Sequence, residues 1–397
     1  MSQTLFPPFV LGLLLLVGLP LGADPFPPVE SDRIVCLGDS ITDGNTYPQI
    51  IMQALQEAGK PVPPAICAGV AGNTAPQMAA RVERSVLRFE PDIVTFSAGS
   101  NDVLGRLEAA KYEKALREIC RRVDEQGGTM VLLTPCPVMP HGRLEKLTAV
   151  KARELQDEIN TLLDQYEAAI RRVAREKGYR VAENRALMRA ALKEGEQIMV
   201  EDGIHPNYTG QSLMARSILD AIGGEEVPLP EEFDPPLFPG VIREWKMRPA
   251  KGKLDAETVR ELRPDGEDWV TYRLPDPVPE EEPSADDWWE QERRNGFGLR
   301  VPEVVHKGPV WAVADLEEPE ARRAWVNLGI GVRSVWLNGE RVWQHPGGWT
   351  GFHAGKHRVV VELEKGKDRL VVGIKGPNFF LSVTERLVWE ELLFRGE

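Results

Sequence analysis

From residue 33 to residue 183 the chain repeats one alternation, a short apolar run followed by an amphipathic stretch of helical period. RIVCLGD (33–39), PAICAGV (64–70), DIVTFSAG (92–99) and TMVLLTP (129–135) read as strands, with a shorter one near YRVAE. Between them lie TYPQIIMQALQEAG, APQMAARVERSVLRF and EAAKYEKALREICRRVDEQG, and a long helix is expected from about Leu147 to Lys177. Strands joined through helices run parallel, and the helices cover both faces of the sheet. Ligands of such sheets bind at the carboxyl ends of the strands.

That edge is where the unusual loops fall. The first apolar run ends in CLGDSITDG, placing Ser40 just past the first strand. Taken alone, Gly-Asp-Ser is ordinary turn composition. GVAGNT (69–74) follows the second strand and GSND (99–102) the third. Three polar, Gly-containing loops therefore converge on one edge.

A Ser hydroxyl is a weak nucleophile that needs a base, an acid to orient the base, and donors for the oxyanion it creates. The first half of the chain has two His, His141 and His205. His205 lies in EDGIHPNYTG with Asp202 three residues before it, a spacing that lets a short turn bring the carboxylate to one imidazole nitrogen. Ser40, His205 and Asp202 are thus expected as nucleophile, general base and orienter. His141, in PVMPHGRL, has no nearby acid and reads as a loop residue on the cleft rim. The backbone N–H groups of Ser40 and Gly72, with the Asn101 amide, are the expected oxyanion donors, since Gly permits close approach. Asp39 and Asp102 read as loop-fixing groups that bond the backbone. Asn73 reads equally as a substrate contact or a turn residue. Pro206 restricts His205 to extended backbone.

GDSITDG, AGVAGNT, GSND and DGIHP, in this order, resemble the four sequence blocks of the SGNH/GDSL hydrolases. The resemblance covers roughly residues 31 to 222. It implies a flavodoxin-like three-layer α/β/α fold, the Ser40–His205–Asp202 triad, an oxyanion hole of Ser40, Gly72 and Asn101, and no metal or other cofactor. The chain departs from the pattern at Cys67, where the family often has Asn, which puts one supporting hydrogen bond in question.

The rest of the chain has a different grammar. All four Cys precede residue 140 and all ten Trp follow residue 240. GGEEVPLPEEFDPPLFPG (223–240), rich in Pro and acid, reads as an extended linker. Beyond it, residues 241–397 carry AWVNLGIGVRSVWLNGERVW and HRVVVELEKGKDRLVVGIKG, alternating strands joined by turns such as Asn338-Gly339. This predicts an antiparallel β-sandwich, and the pattern resembles the galactose-binding-like jelly rolls appended to carbohydrate-active enzymes. Trp288, Trp289 and Trp349 are candidates for stacking on sugar rings, although most Trp are expected in the core or at the domain boundary. Residues 1–23 contain an uncharged apolar run, Phe9 to Ala23, of signal-peptide length, with an uncleaved anchor as the alternative. No Cys follows that run, so a lipid-modified Cys is not expected. An even Cys count in an exported chain invites pairing, yet the positions of Cys36 and Cys120 favour buried thiols.

A net charge of −13 disfavours nucleic acid as a partner. The expected function is an exported (periplasmic or extracellular) serine esterase that removes small acyl groups, acetyl first among them, from carbohydrate through an acyl-enzyme on Ser40. Stable membrane insertion is expected only if the N-terminal segment stays uncleaved. The rivals are a lipid-directed esterase such as a lysophospholipase, and a surface carbohydrate-binding protein whose hydrolase domain is only a scaffold.

Overall fold

In the computed structural model, residues 32–391 are described except 225, 235, 275–297, 306–307 and 349–354. The apolar run before residue 24 and the three Trp singled out for sugar stacking lie outside the described residues. Five strands, β1 (Ile34–Gly38), β2 (Ala65–Gly69), β3 (Ile93–Phe96), β4 (Thr129–Leu133) and β5 (Arg180–Ala182), form one sheet in the order β2-β1-β3-β4-β5. Every pair is parallel, with Ile34 opposite Ala65 on one side and Ile93 on the other. The order reverses at β1, so the crevice of this doubly wound sheet opens beside Ser40.

The helices are α1 (Ser40–Asp43), α2 (Thr46–Glu57), α3 (Ala75–Ser85), α4 (Ser100–Leu104), α5 (Ala109–Asp124), α6 (His141–Leu144), α7 (Ala149–Lys177), α8 (Asn184–Glu194) and α9 (Tyr208–Ala221). Strand side chains alternate between faces. Val35 and Leu37 pack with Met78 of α3, Leu116 of α5 and Ile170 of α7. Ile34 and Cys36 pack with Ile50 of α2, Met188 of α8 and Met214 of α9. All five residues of β1 are buried, so truncating Leu37 to Ala would cost about 2–5 kcal/mol. The four Cys are buried free thiols, and burial pushes Cys36 up to about 11.

The Pro-rich segment expected as an extended linker is anchored to the first domain. Val227, Phe233 and Phe238 are buried. Arg216 donates to the carbonyls of Gly224 and Val227, and Gln53 bonds Glu232 O and Asp234 N. Its apolar side chains supply burial, and side chains of the domain satisfy its backbone.

The remaining strands are β6 (Glu244–Pro249), β7 (Val270–Arg273), β8 (Leu299–Arg300), β9 (Val310–Glu318), β10 (Arg322–Leu328), β11 (Val332–Leu337), β12 (Glu340–Gln344), β13 (His357–Leu363), β14 (Gly366–Ile374), β15 (Asn378–Phe379) and β16 (Leu381–Thr384), with helix α10 (Ala256–Glu261) after β6. A six-stranded sheet, β12-β11-β14-β9-β6-β7, and a three-stranded sheet, β13-β10-β16, are antiparallel throughout. They share one core, with Ala312 and Leu370 from the first and Val326 and Leu381 from the second. Asn338 and Gly339 both have positive φ, 50° and 87°, as a tight hairpin turn demands. Trp245, Trp311, Trp336 and Trp389 are buried. Phe238, Phe380, Val388 and Trp389 belong to the apolar cluster beneath α3, α5 and α7, so the β region shares a core with the parallel domain. No helix among the described residues is long and apolar enough to cross a membrane.

Candidate active site

The three loops meet as the sequence suggested. Ser40 Oγ lies 2.8 Å from His205 Nε2. His205 Nδ1 lies 2.6 Å from Asp202 Oδ2. Asp202 Oδ1 also accepts from the backbone N–H groups of Ile204 and His205, which folds residues 202–205 into the turn that aims the imidazole. The turn needs Gly203: its φ is +67°, and a Cβ there would collide with Met139 O. The same packing brings His141 Cδ2 near Gly203. His141 is exposed and stands at the rim, outside the relay.

Burial alone would push the Asp202 carboxyl up, but bonds from the His205 ring and from two backbone N–H groups hold it below the ordinary value. Burial favours neutral His205, yet the bond to Asp202 and that residue's charge, with a smaller contribution from Asp39, raise it above the ordinary imidazole. The arrangement orients one tautomer, with Nδ1–H toward Asp202 and a bare Nε2 toward the Ser hydroxyl.

Two of the three expected oxyanion donors are available. The backbone N–H groups of Ser40 and Gly72 make no hydrogen bond within the described residues. Gly72 holds a φ of +79° in an exposed turn. The third, Asn101, is engaged: its Nδ2 donates to Asp39 Oδ2 at 3.2 Å and to Asn73 O at 3.1 Å. It ties the first two loops together, and it reaches an oxyanion only by sharing one of these long bonds. Asn73, read as a substrate contact or a turn residue, has its Oδ1 taken by Arg81 Nε at 2.7 Å.

Asp39 caps α1 by accepting from Ile41 N, and Asp102 accepts from Ala75 N at the start of α3. Burial raises Asp39 to about 6, against opposing bonds from Ile41 and Asn101 and the charge of His205. Burial raises Asp102 to about 7, and the charge of Asp39 adds to it. Cys67, where the family pattern often has Asn, still supports the site, since its thiol donates to Thr42 O at 3.0 Å.

Two supporting residues escaped the sequence reading. Asp43 Oδ2 accepts from Ala71 N, joining the first loop to the second. Arg81 is 4% exposed and donates through Nη2 to Gly38 O, two residues before Ser40. The available signal for Arg81 was its place beside Met78 and Val82 on the apolar face of α3, where a cation is costly unless it is bonded.

Chemically, the set supports acyl transfer. With this geometry His205 Nε2 can take the Oγ proton as Ser40 attacks a carbonyl carbon. The backbone N–H groups of Ser40 and Gly72 are available to meet the tetrahedral oxyanion. The imidazolium then returns its proton to the departing alkoxide, leaving an acyl-Ser40 ester. Water repeats the sequence, giving its proton to His205 and releasing the acid.

Residues 36–213 match the GDSL-like Lipase/Acylhydrolase family. Two curated relatives are both acetylxylan esterases. That of Geobacillus stearothermophilus is 25% identical over 228 residues, covering 50% of this chain and 97% of the relative. That of Xylanibacter ruminicola is 27% identical over 219 residues, covering 50% of this chain and 44% of the relative. Among solved structures, the acetylxylan esterase Axe2 of Geobacillus stearothermophilus aligns with 50% of this chain and 96% of its own, at 23% identity and a TM-score of 0.43.

Proposed function

We propose, from the premise that residues 36–213 form a GDSL-like acylhydrolase domain, that this carboxylic ester hydrolase removes acetyl groups from a carbohydrate through an acyl-enzyme on Ser40. The observation that carries the reading is the shallowness of the relay. The His205 side chain is 29% exposed and that of Asp202 43%, and Ser40 is half-buried. A shallow nucleophile suits a small acyl group projecting from a bulky, hydrated chain, whereas a long acyl chain needs an enclosing apolar wall. The two acetylxylan esterases among the relatives support the same substrate class. The apolar run from Phe9 to Ala23 fits export toward a polymeric substrate. The β region, patterned like galactose-binding-like jelly rolls, fits an accessory role toward the glycan.

The test compares p-nitrophenyl acetate with p-nitrophenyl decanoate, and follows acetate release from acetylated xylo-oligosaccharide. A kcat/KM that falls with chain length, together with acetate release, is expected. A preference for decanoate would replace this reading with a lipid-directed one. Failure of a fluorophosphonate to label Ser40 would leave a scaffold.

A further inference from the structure

A cleft of about 830 Å³ lies not over Ser40 but between α3 and the β region. One wall is a single face of α3, at the helical spacing of Gln77, Arg81, Arg84 and the following Arg88. The other wall is Trp343 of β12 with Lys356, His357 and Arg358 at the start of β13. Cys67 and Ala68 of β2, the edge strand of the parallel sheet, lie at its base.

The lining is unlike the rest of the molecule. The chain as a whole carries −13, yet this cleft has five Arg or Lys and, among the described residues, no Asp or Glu. The nearest acids in sequence turn elsewhere: Glu83 pairs with Arg122, and Glu90 with Arg33. Arg84 and Arg358 are exposed, and these cations of the two regions line the same cleft. Like charges arranged face to face raise the energy of the empty state, and an anion between them reverses that. Arg81 adds an independent sign, because its buried Nη1 has no hydrogen-bond partner within the described residues.

We propose that this cleft binds a carboxylated, uronate-bearing stretch of the glycan whose acyl ester is presented to Ser40. The inference rests on the carbohydrate reading above and names its substrate class. The volume exceeds what one inorganic anion fills and matches sites for larger ligands. Half-buried Trp343 offers a ring, and the Asn73 and Gln77 amides can meet hydroxyls. The cleft reaches the catalytic edge at Asn73, whose carbonyl accepts from Asn101. Eleven residues of α3 extend it by about 16 Å.

The test is titration of the full chain with an unesterified oligogalacturonate, against a neutral xylo-oligosaccharide and a sulfated oligosaccharide of matched length. The ligand has no acyl group, so its binding reads the cleft whether or not the esterase reading holds, and p-nitrophenyl acetate turnover reads Ser40 alone. The oligogalacturonate should bind best, with affinity falling as salt rises. Arg84→Gln with Arg358→Gln should weaken it roughly tenfold at an unchanged melting temperature, since two exposed charge contacts are lost. Arg84→Lys with Arg358→Lys should restore most of it. Equal binding of the neutral oligosaccharide, equal binding of the sulfated one, or an unaltered double Gln variant would each overturn the proposal.

Discussion

The two regions bury polar side chains for opposite ends. In the β region the buried side chains of Asn327, Ser382, Thr384 and Asp368 close on polar partners. Asn327 donates to Ser382 and Thr384 and accepts from Val388 N, while buried Asp368 accepts from exposed Asn338, which in turn accepts from Arg369 N. These bonds stitch strand to strand. In the parallel domain the buried polar groups crowd the carboxyl ends of β1 to β3 and remain under tension. Asp39 and Asp102 are held well above ordinary carboxyls by burial. Paired networks stabilise, whereas perturbed carboxyls mark where the fold carries chemistry. The contrast says that stability and catalysis are separable by substitution.

The strongest test of that separation is Ser40→Ala. It removes one half-buried hydroxyl and should lower kcat on p-nitrophenyl acetate by roughly 10⁴-fold or more, with the melting curve unmoved. Substantial residual turnover would place the nucleophile elsewhere. Next in size is Asn101→Ala: an amide that shares one of its two long bonds with the transition-state oxyanion should, when removed, lower kcat by roughly 10²–10³ with little change in KM. Since Asn101 also bridges Asp39 and Asn73, a raised KM at normal kcat would show that it only shapes the loops. Its counterpart in the β region is Asn327→Ala. That change removes the partner of the Ser382 hydroxyl and of Val388 N, and should cost about 2 kcal/mol of stability by denaturant titration, leaving kcat as it was. If Asn327→Ala depressed kcat while leaving stability intact, the comparison would be broken.

The parallel sheet was legible because strand and helix periods differ and the alternation is regular. The relay was legible because its parts sit at strand ends or within one short turn, Asp202 to His205. What stayed hidden depends on long-range packing. Residues 223–240 read as linker because Pro and acid dominate their composition, whereas Phe233 and Phe238 decide their burial. Arg81 was invisible as a site residue because its bonds to Gly38 O and Asn73 cross from α3 to two different loops. The engagement of Asn101 by Asp39 was hidden for the same reason. One wall of the basic cleft comes from α3 and the other from β12 and the start of β13, more than 250 residues further on, so no local window contains it.

The smallest expected effect is a shift along the pH axis. His205 must be neutral to accept the Ser40 proton, so kcat/KM falls as pH drops through its folded pKa. Burial alone would lower that value, but the Asp202 bond and charge outweigh it and raise the imidazole above 6.5. The acid limb of the wild-type profile should therefore have its midpoint above pH 6.5. Asp202→Asn removes the leading raising contributions and leaves burial in place, so the midpoint should fall below 6.5 while the plateau also drops. Asp39→Asn removes only a lesser raising charge and should move the limb in the same direction by less. It also keeps an acceptor for Ile41 N, so α1 stays capped. Because Asp39 itself titrates at about 6 and its protonation removes a charge that raises His205, the wild-type limb should be shallower than a one-proton curve, and Asp39→Asn should return it to unit slope. A limb that stays in place in Asp202→Asn would mean that another group governs it. The tension assigned to the parallel domain would then have no part in the chemistry.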